Sequence, residues 1–486
     1  VRFIDGFGLY GPGSYGGFMS IFRRKTLQQY VAESKRTQLV RHLGWPSLIL
    51  LGLGAIIGVG VFVLTGIASA NYAGPAVPLA FVLGGTVCIF TALCYAELGT
   101  TVPVSGGSYA YLYVAAGEIW AWMAGWVGLA VYLFGIATVA AGWSGYVGGL
   151  LASAGVHLPH DLTAIPSQGG MINAPGVLMV AVMALLLMRG MKDAVLLNAI
   201  LVAVKVGVMF VFIGSAVSHV NWDHWDPFMP FGFSGVVAAA GVIFTGFTGF
   251  DAIVNAAEES KNPQRDVPIG LIGSLVGSIV LYVLVSGLLT LIVPYHELAT
   301  AEPIAYALRA NGSTIGGGLV AMGAVAAMTS VLLVMVYAAS RILMVLSRDG
   351  FLPPMFARVN KAGTPYLSLF GVAMLAMTMV GFVPLETVGK LCSLATLIIF
   401  TVVGVTAMLL RWREPDLHRP FRCPAIYWVG TIASVGCALI AFRMVMTDMS
   451  SLLVFGGVLL LGLVIYALYG YRHSLIVSRP ESASRG

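Results

Sequence analysis

The chain has 486 residues, 58% of them hydrophobic and only 9% charged, and its mean hydropathy is +0.92. A soluble surface draws on about 25% charged residues, so this composition excludes a soluble enzyme, a nucleic-acid binder and a secreted disulfide scaffold. The net charge of +6 sits in short basic loops between apolar runs, which is the pattern of a multi-pass membrane protein.

Residues 1–18 are rich in Gly and Tyr and lack the basic-then-apolar order of a signal peptide. Met19 then opens a basic stretch, so 1–18 reads as an upstream extension and 19–45 as a cytoplasmic N-terminus. About twelve apolar segments follow, near 46–70, 75–100, 119–151, 175–189, 194–218, 233–258, 269–293, 315–346, 365–382, 388–410, 426–446 and 452–471. Most are of bilayer-spanning length. With alternating topology, nearly all lysines and arginines fall on one side, Arg309 being the clearest exception. Both termini are then cytoplasmic and the number of spans is even. Cys88, Cys94, Cys392, Cys423 and Cys437 show no ligand-like spacing and read as small packing residues.

Glycine is dense in two of these segments. The first contains Gly52, Gly54, Gly58 and Gly60, and the sixth contains Gly241, Gly246 and Gly249. Each glycine in a helix interior costs about 1 kcal/mol relative to alanine. One reading is a pair of close-packing faces. The other is a pair of helices broken near mid-membrane, in corresponding positions of two halves with opposite orientation, which is the sequence signature of an inverted-repeat transporter. A broken first helix frees the amides of Val59 and Gly60 for a carboxylate, and carbonyls around Ile56 for an ammonium. An α-amino acid carries both groups on one carbon.

Lys205 lies at the centre of the fifth segment, flanked by apolar residues. A lysine at that depth costs approximately 2.5–3.5 kcal/mol on insertion scales, so it either snorkels or holds a partner. Acids are sparse. Asp251 follows the glycine-rich part of the sixth segment and suits either a coupling acid or a partner for a substrate cation. Glu258 and Glu259 suit an inside gate with Lys261 or Arg265, while Glu97 and Glu118 bracket the second loop and read as structural.

The motifs ALCYAEL (92–98), VPVSGGSYAY (102–111), GAIIGVGVF (54–62), GFDAIVNAAEESKNPQRDVPIG (249–270), SRDGFLP (347–353) and REPDLHRPFRCP (413–424) occur in one chain. Together they resemble the amino acid–polyamine–organocation superfamily, specifically its cationic amino acid transporter branch, over nearly the whole chain from Met19 to Tyr471. The resemblance implies an all-α polytopic membrane protein of about twelve helices. Residues 46–218 and 233–410 would form two inverted five-helix repeats with broken first and sixth helices. Two peripheral helices and their preceding loop would occupy 411–472, followed by a cytoplasmic tail, 473–486.

The resemblance also implies site residues. The substrate carboxylate meets Gly58, Val59 and Gly60, and its ammonium meets carbonyls of Ile56, Thr245, Gly246 and Thr248. Phe247 and Met328 complete the lining. Lys205 and Asp251 take part in proton coupling, with Lys205 standing where sodium-coupled relatives hold sodium. Thr329 and Ser330 form a hydroxyl pair near that place, or else bond to their own helix. Two departures bear on substrate: Val59 replaces the usual Ser or Thr, and Thr245 replaces a bulky gating aromatic, so that either room is left for a larger side chain or the gate falls to Phe244 or Phe247. Val127 and Val131 stand where cationic-branch relatives often carry acids, which points to neutral substrates. The expected partners are an amino acid, protons and the lipid bilayer of the plasma membrane, with no nucleic acid, metal or cofactor implied. A small membrane partner is not readable from the sequence. The chain carries no metalloprotease, nucleophile or P-loop motif, and nothing resembling a channel filter or a receptor domain.

Overall fold

The structure is a computed structural model that describes residues 43–102, 106–189, 191–255, 260–360 and 364–474. The N-terminal extension, residues 19–42, Glu258, Glu259 and the tail from 475 onward lie outside the described residues. Among the described residues the chain is helical throughout, with a single isolated bridge between Leu43 and Ser260. An apolar segment in lipid must bond its own backbone, and a helix does so without a neighbour.

The first expected segment divides in two. Helix α1 (Trp45–Ile56) ends where Ile57 turns to extended geometry, and a second stretch, α2 (residues 60–73), continues through π-helical and α-helical turns. Gly74, at φ +62°, and the following Pro75 turn the chain into α3 (Val77–Thr101). After it come α4 (Ser108–Ala115), α5 (Glu118–Ser153), α6 (Ala174–Arg189) and α7 (Met191–Ala216). The sixth segment is also interrupted: α8 (Gly232–Ile243) gives way to a tight turn at Phe244–Phe247, then to Gly249 at φ +109°, and resumes as α9 (Ala252–Asn255). There follow α10 (Pro263–Ile292), α11 (Pro303–Ala310), α12 (Thr314–Arg348), α13 (Tyr366–Phe382), α14 (Leu385–Arg413), α15 (Ile426–Thr447) and α16 (Met449–Ile465).

Among the described residues nine helical stretches are long and apolar enough to cross a membrane, and the first of them, Trp45–Thr101, contains both α1/α2 and α3. Helices α6 and α13 are apolar but shorter. The short helices α4 and α11 were not anticipated, because eight residues carry too little periodicity to separate from a loop.

Packing surrounds the two interrupted segments. Helix α10 lies against α1 and α3, α8 against α3, α12 against α5 and α7, α14 against α5, and α13 against α6. Buried charge ties the ends together. Glu97 at the end of α3 accepts from Arg411 Nε at 2.9 Å, from Arg419, and from the Cys423 amide at 2.8 Å. Glu118 accepts from the hydroxyls of Tyr466 and Ser474 at 3.0 and 2.9 Å, while Trp122 and Trp126 donate to carbonyls of α16. Arg309, the exception to the charge rule, is paired with Glu302. All five cysteines are free and buried.

Candidate substrate site at the two helix breaks

The break in the first segment interrupts the backbone ladder, and side chains donate to three of the carbonyls around it, those of Gly54, Ile56 and Ile57. Leu53 O accepts from the Ile57 amide at 3.1 Å. Lys205 Nζ donates to Gly54 O at 2.7 Å, to Ile57 O at 2.9 Å and to Ser330 Oγ at 2.9 Å. Tyr282 is placed to donate to Ile56 O at 2.7 Å, with Gly246 O 3.0 Å away as a second acceptor. Lys205 is fully buried, so its ammonium exchanges water for three acceptors at the open end of α1, where the helix dipole also favours a cation. Snorkelling is therefore not how this lysine is accommodated.

The two breaks touch through glycine. A Cβ on Gly60 would lie 2.2 Å from Gly246 Cα, and one on Gly246 would lie 3.0 Å from Gly60 Cα. Only backbone fits at that crossing. The amides of Val59 and Gly60 open the second half-helix, where no preceding turn supplies an acceptor; the Phe62 amide bonds back to Gly58 O at 3.2 Å. Carbonyls up to Ile56 thus close one half-helix, and the amides of Val59 and Gly60 open the next.

The sixth segment is held from α14. Ser393 Oγ accepts from the Thr245 amide at 3.0 Å, Thr245 Oγ1 donates to Gly389 O at 2.9 Å, and Thr248 pairs with Thr396 at 3.0 Å. The carbonyl of Thr245 accepts from the Thr248 amide at 3.1 Å. A hydrogen-bonded Thr245 does not fill space as an aromatic would. Phe247 packs on Phe81, Tyr282 and Phe244, and Phe244 on Phe400.

Val59, Val63 and Met328 converge on Gly142 of α5, where an added Cβ would lie 2.9 Å, 3.2 Å and 3.3 Å from them. Thr329 and Ser330 both bond their own helix, at Val325 O and Ala327 O, but otherwise separate: Ser330 also joins Lys205, whereas Thr329 accepts from Trp143 Nε1 at 3.1 Å. Asp251 accepts from Tyr132 at 3.1 Å. A cavity of about 30 Å³ reaches Asp251, Thr248, Val131 and Thr396 from the loop at Gly106–Gly107. That is space for a few waters. Val131 lines the cavity; Val127 is buried but does not. Tyr282, Ser393, Thr396 and Gly142 escaped the sequence reading, because a lone hydroxyl or glycine in an apolar helix carries no mark of what it faces.

The sequence profile of the amino acid permease family matches residues 43–471. The chain is 36% identical over 460 residues to the methylthioribose transporter of Bacillus subtilis strain 168, covering 94% of this chain and 99% of that protein. It is 39% identical over 462 residues to the branched-chain amino acid permease BcaP of the same organism, covering 94% and 98%. Against the vacuolar cationic amino acid transporter 2 of Arabidopsis thaliana it is 33% identical over 415 residues, covering 84% of this chain and 65% of that one. The chain belongs to the amino acid permease family: it is a multi-pass membrane protein of a transporter family, not an enzyme.

Proposed function

We propose that this protein is a proton-coupled secondary transporter that moves neutral amino acids with apolar side chains across the plasma membrane by alternating access. The observation that carries the reading is the pair of helix breaks in backbone contact at Gly60 and Gly246, with Lys205 bonded to Gly54 O and Ile57 O. The substrate carboxylate meets the amides of Val59 and Gly60, with Gly58 allowing the approach. The substrate ammonium takes the lone pairs of Ile56 O and Gly246 O, in competition with Tyr282, and those of the Thr245 and Thr248 carbonyls. Lys205, with Ser330 beside it, occupies the place a sodium ion would need, and its proton and that of Asp251 provide the coupling.

The topology proposed is twelve spans in two inverted repeats, 46–218 and 233–410, with both termini cytoplasmic. Packing supports this. If α1/α2, α3, α5, α6 and α7 correspond to α8/α9, α10, α12, α13 and α14, then α10 against α1 is the mate of α3 against α8. By the same exchange α14 against α5 is the mate of α7 against α12.

Neutral selectivity is supported by Val59, Val63 and Met328 gathered at Gly142 and by valines at 127 and 131, since a cation in an apolar pocket needs a carboxylate or several carbonyls. The similarity to a branched-chain permease agrees with it. The similarity to a methylthioribose transporter favours a second reading, an uncharged thioether substrate without ammonium or carboxylate. Counterflow of labelled leucine in proteoliposomes tests both. Excess isoleucine, valine or methionine should suppress the signal, and arginine, lysine and methylthioribose should not. Stronger competition by arginine or lysine than by leucine overturns the neutral assignment; stronger competition by methylthioribose favours the second reading.

A further inference from the structure

Each helix break is held by polar side chains of a different flanking helix. Lys205 of α7 holds the first, and Ser393 and Thr396 of α14 hold the second. Ser393 sits inside the hydrogen-bond ladder of the sixth segment. Its Oγ accepts from the Thr245 amide at 3.0 Å and faces Val242 O at 3.5 Å and Thr245 Oγ1 at 2.7 Å. A side chain inserted between a carbonyl and an amide of one helix is a physical cause of its opening. Thr396 spends its own proton on Cys392 O at 2.8 Å, so in its 3.0 Å contact with Thr248 it is the acceptor and Thr248 the donor. Ser393, Thr396, Thr245 and Thr248 are all buried, where water offers no substitute for these bonds.

We propose that Ser393 and Thr396 are positioning residues for transport: their hydroxyls hold Thr245–Thr248 open in the geometry that receives substrate, as Lys205 holds Gly54–Ile57. The inference rests on the transporter reading above. It assigns a role to α14 that the substrate-facing residues do not share, since neither hydroxyl needs to touch the ligand. Movement of α14 away from the Phe244–Thr248 turn breaks both bonds at once, so occupancy of the second half-site is linked to the position of α14.

Loss of a positioning bond lowers the fraction of protein in the binding-competent geometry, and apparent affinity falls by that fraction, while saturating substrate restores the open segment. The test is leucine counterflow by the full chain in proteoliposomes, with thermal melting of each variant. Ser393→Ala and the near-isosteric Thr396→Val should each raise KM by about fivefold or more with maximal rate within about twofold, and Thr396→Ser should return KM to the wild-type value. The proposal is overturned if KM stays at the wild-type value in both hydroxyl-less variants, including the case where only maximal rate or melting temperature falls. It is also overturned if Thr396→Ser raises KM as much as Thr396→Val. Absence of saturable counterflow by the wild type would instead remove the transporter reading itself.

Discussion

Lys205 has no carboxylate among the partners the structure gives it; three oxygen acceptors surround its ammonium. Deprotonation would leave the Gly54 and Ile57 carbonyls with a weaker donor, so the proton on Lys205 and the shape of the first break are linked. Lys205→Ala should reduce pH-driven accumulation by about tenfold or more while counterflow persists, because exchange needs the site but not the proton. Parallel accumulation and counterflow assays on one preparation check this. The glycines separate by what surrounds them. Gly60→Ala drives a methyl into the backbone of Gly246 and should abolish substrate-induced thermal stabilisation. At Gly58 the nearest atom to an added Cβ is Val331 Cγ2 at 2.7 Å, a side chain able to turn, so Gly58→Ala should keep a measurable shift. Tyr282 was not foreseen at all: an aromatic in an apolar helix reads as packing, and only the fold brings its hydroxyl to Ile56 O and Gly246 O.

At the scale of elements, the helix positions and both interruptions were legible, since apolar runs set the first and glycine density the second. What joins the elements was not. Glu97 stands in a quoted motif and Arg411 just ahead of another, yet they are 314 residues apart, and no spacing rule links them. Breaking a buried ion pair from one side leaves an uncompensated charge at a cost of about 3–5 kcal/mol. Glu97→Gln should therefore lower the melting temperature in detergent markedly, and Glu386→Gln, whose side chain is 44% exposed, should change it little. A second tie joins α14 to the α15–α16 turn, where Lys390 Nζ donates to Asp448 at 3.1 Å. The Asp448 carboxyl is held down to about 2, first by the Ser450 hydroxyl and then by Lys390. Its folded value lies below its unfolded one, so the stabilisation is complete above about pH 4 and is lost as pH falls towards about 2. Wild-type protein should lose more melting temperature across that window than Asp448→Asn does.

For the whole molecule, the two breaks meet through glycine backbone beside Tyr282, and the cavity at Asp251 is of water size. In the proposed alternating access, the helices around α1/α2 and α8 would move against α5 and α12, opening that cavity towards Gly106–Gly107 or the opposite end past Tyr146, which donates to Phe62 O at 2.7 Å. The membrane class and the family were readable from composition and motifs. Substrate was not, because a sequence does not say which apolar side chains converge; Val59, Val63 and Met328 come together at Gly142 only in three dimensions. The central claim is that a positively charged Lys205 replaces sodium and ties amino acid movement to protons. Uptake of labelled leucine into proteoliposomes, with an imposed pH gradient at fixed membrane potential and choline in place of sodium, tests it most directly. Accumulation above equilibrium in choline medium, collapsed by a protonophore and unchanged by adding sodium, is the predicted result. Accumulation that requires sodium and ignores the pH gradient would contradict it.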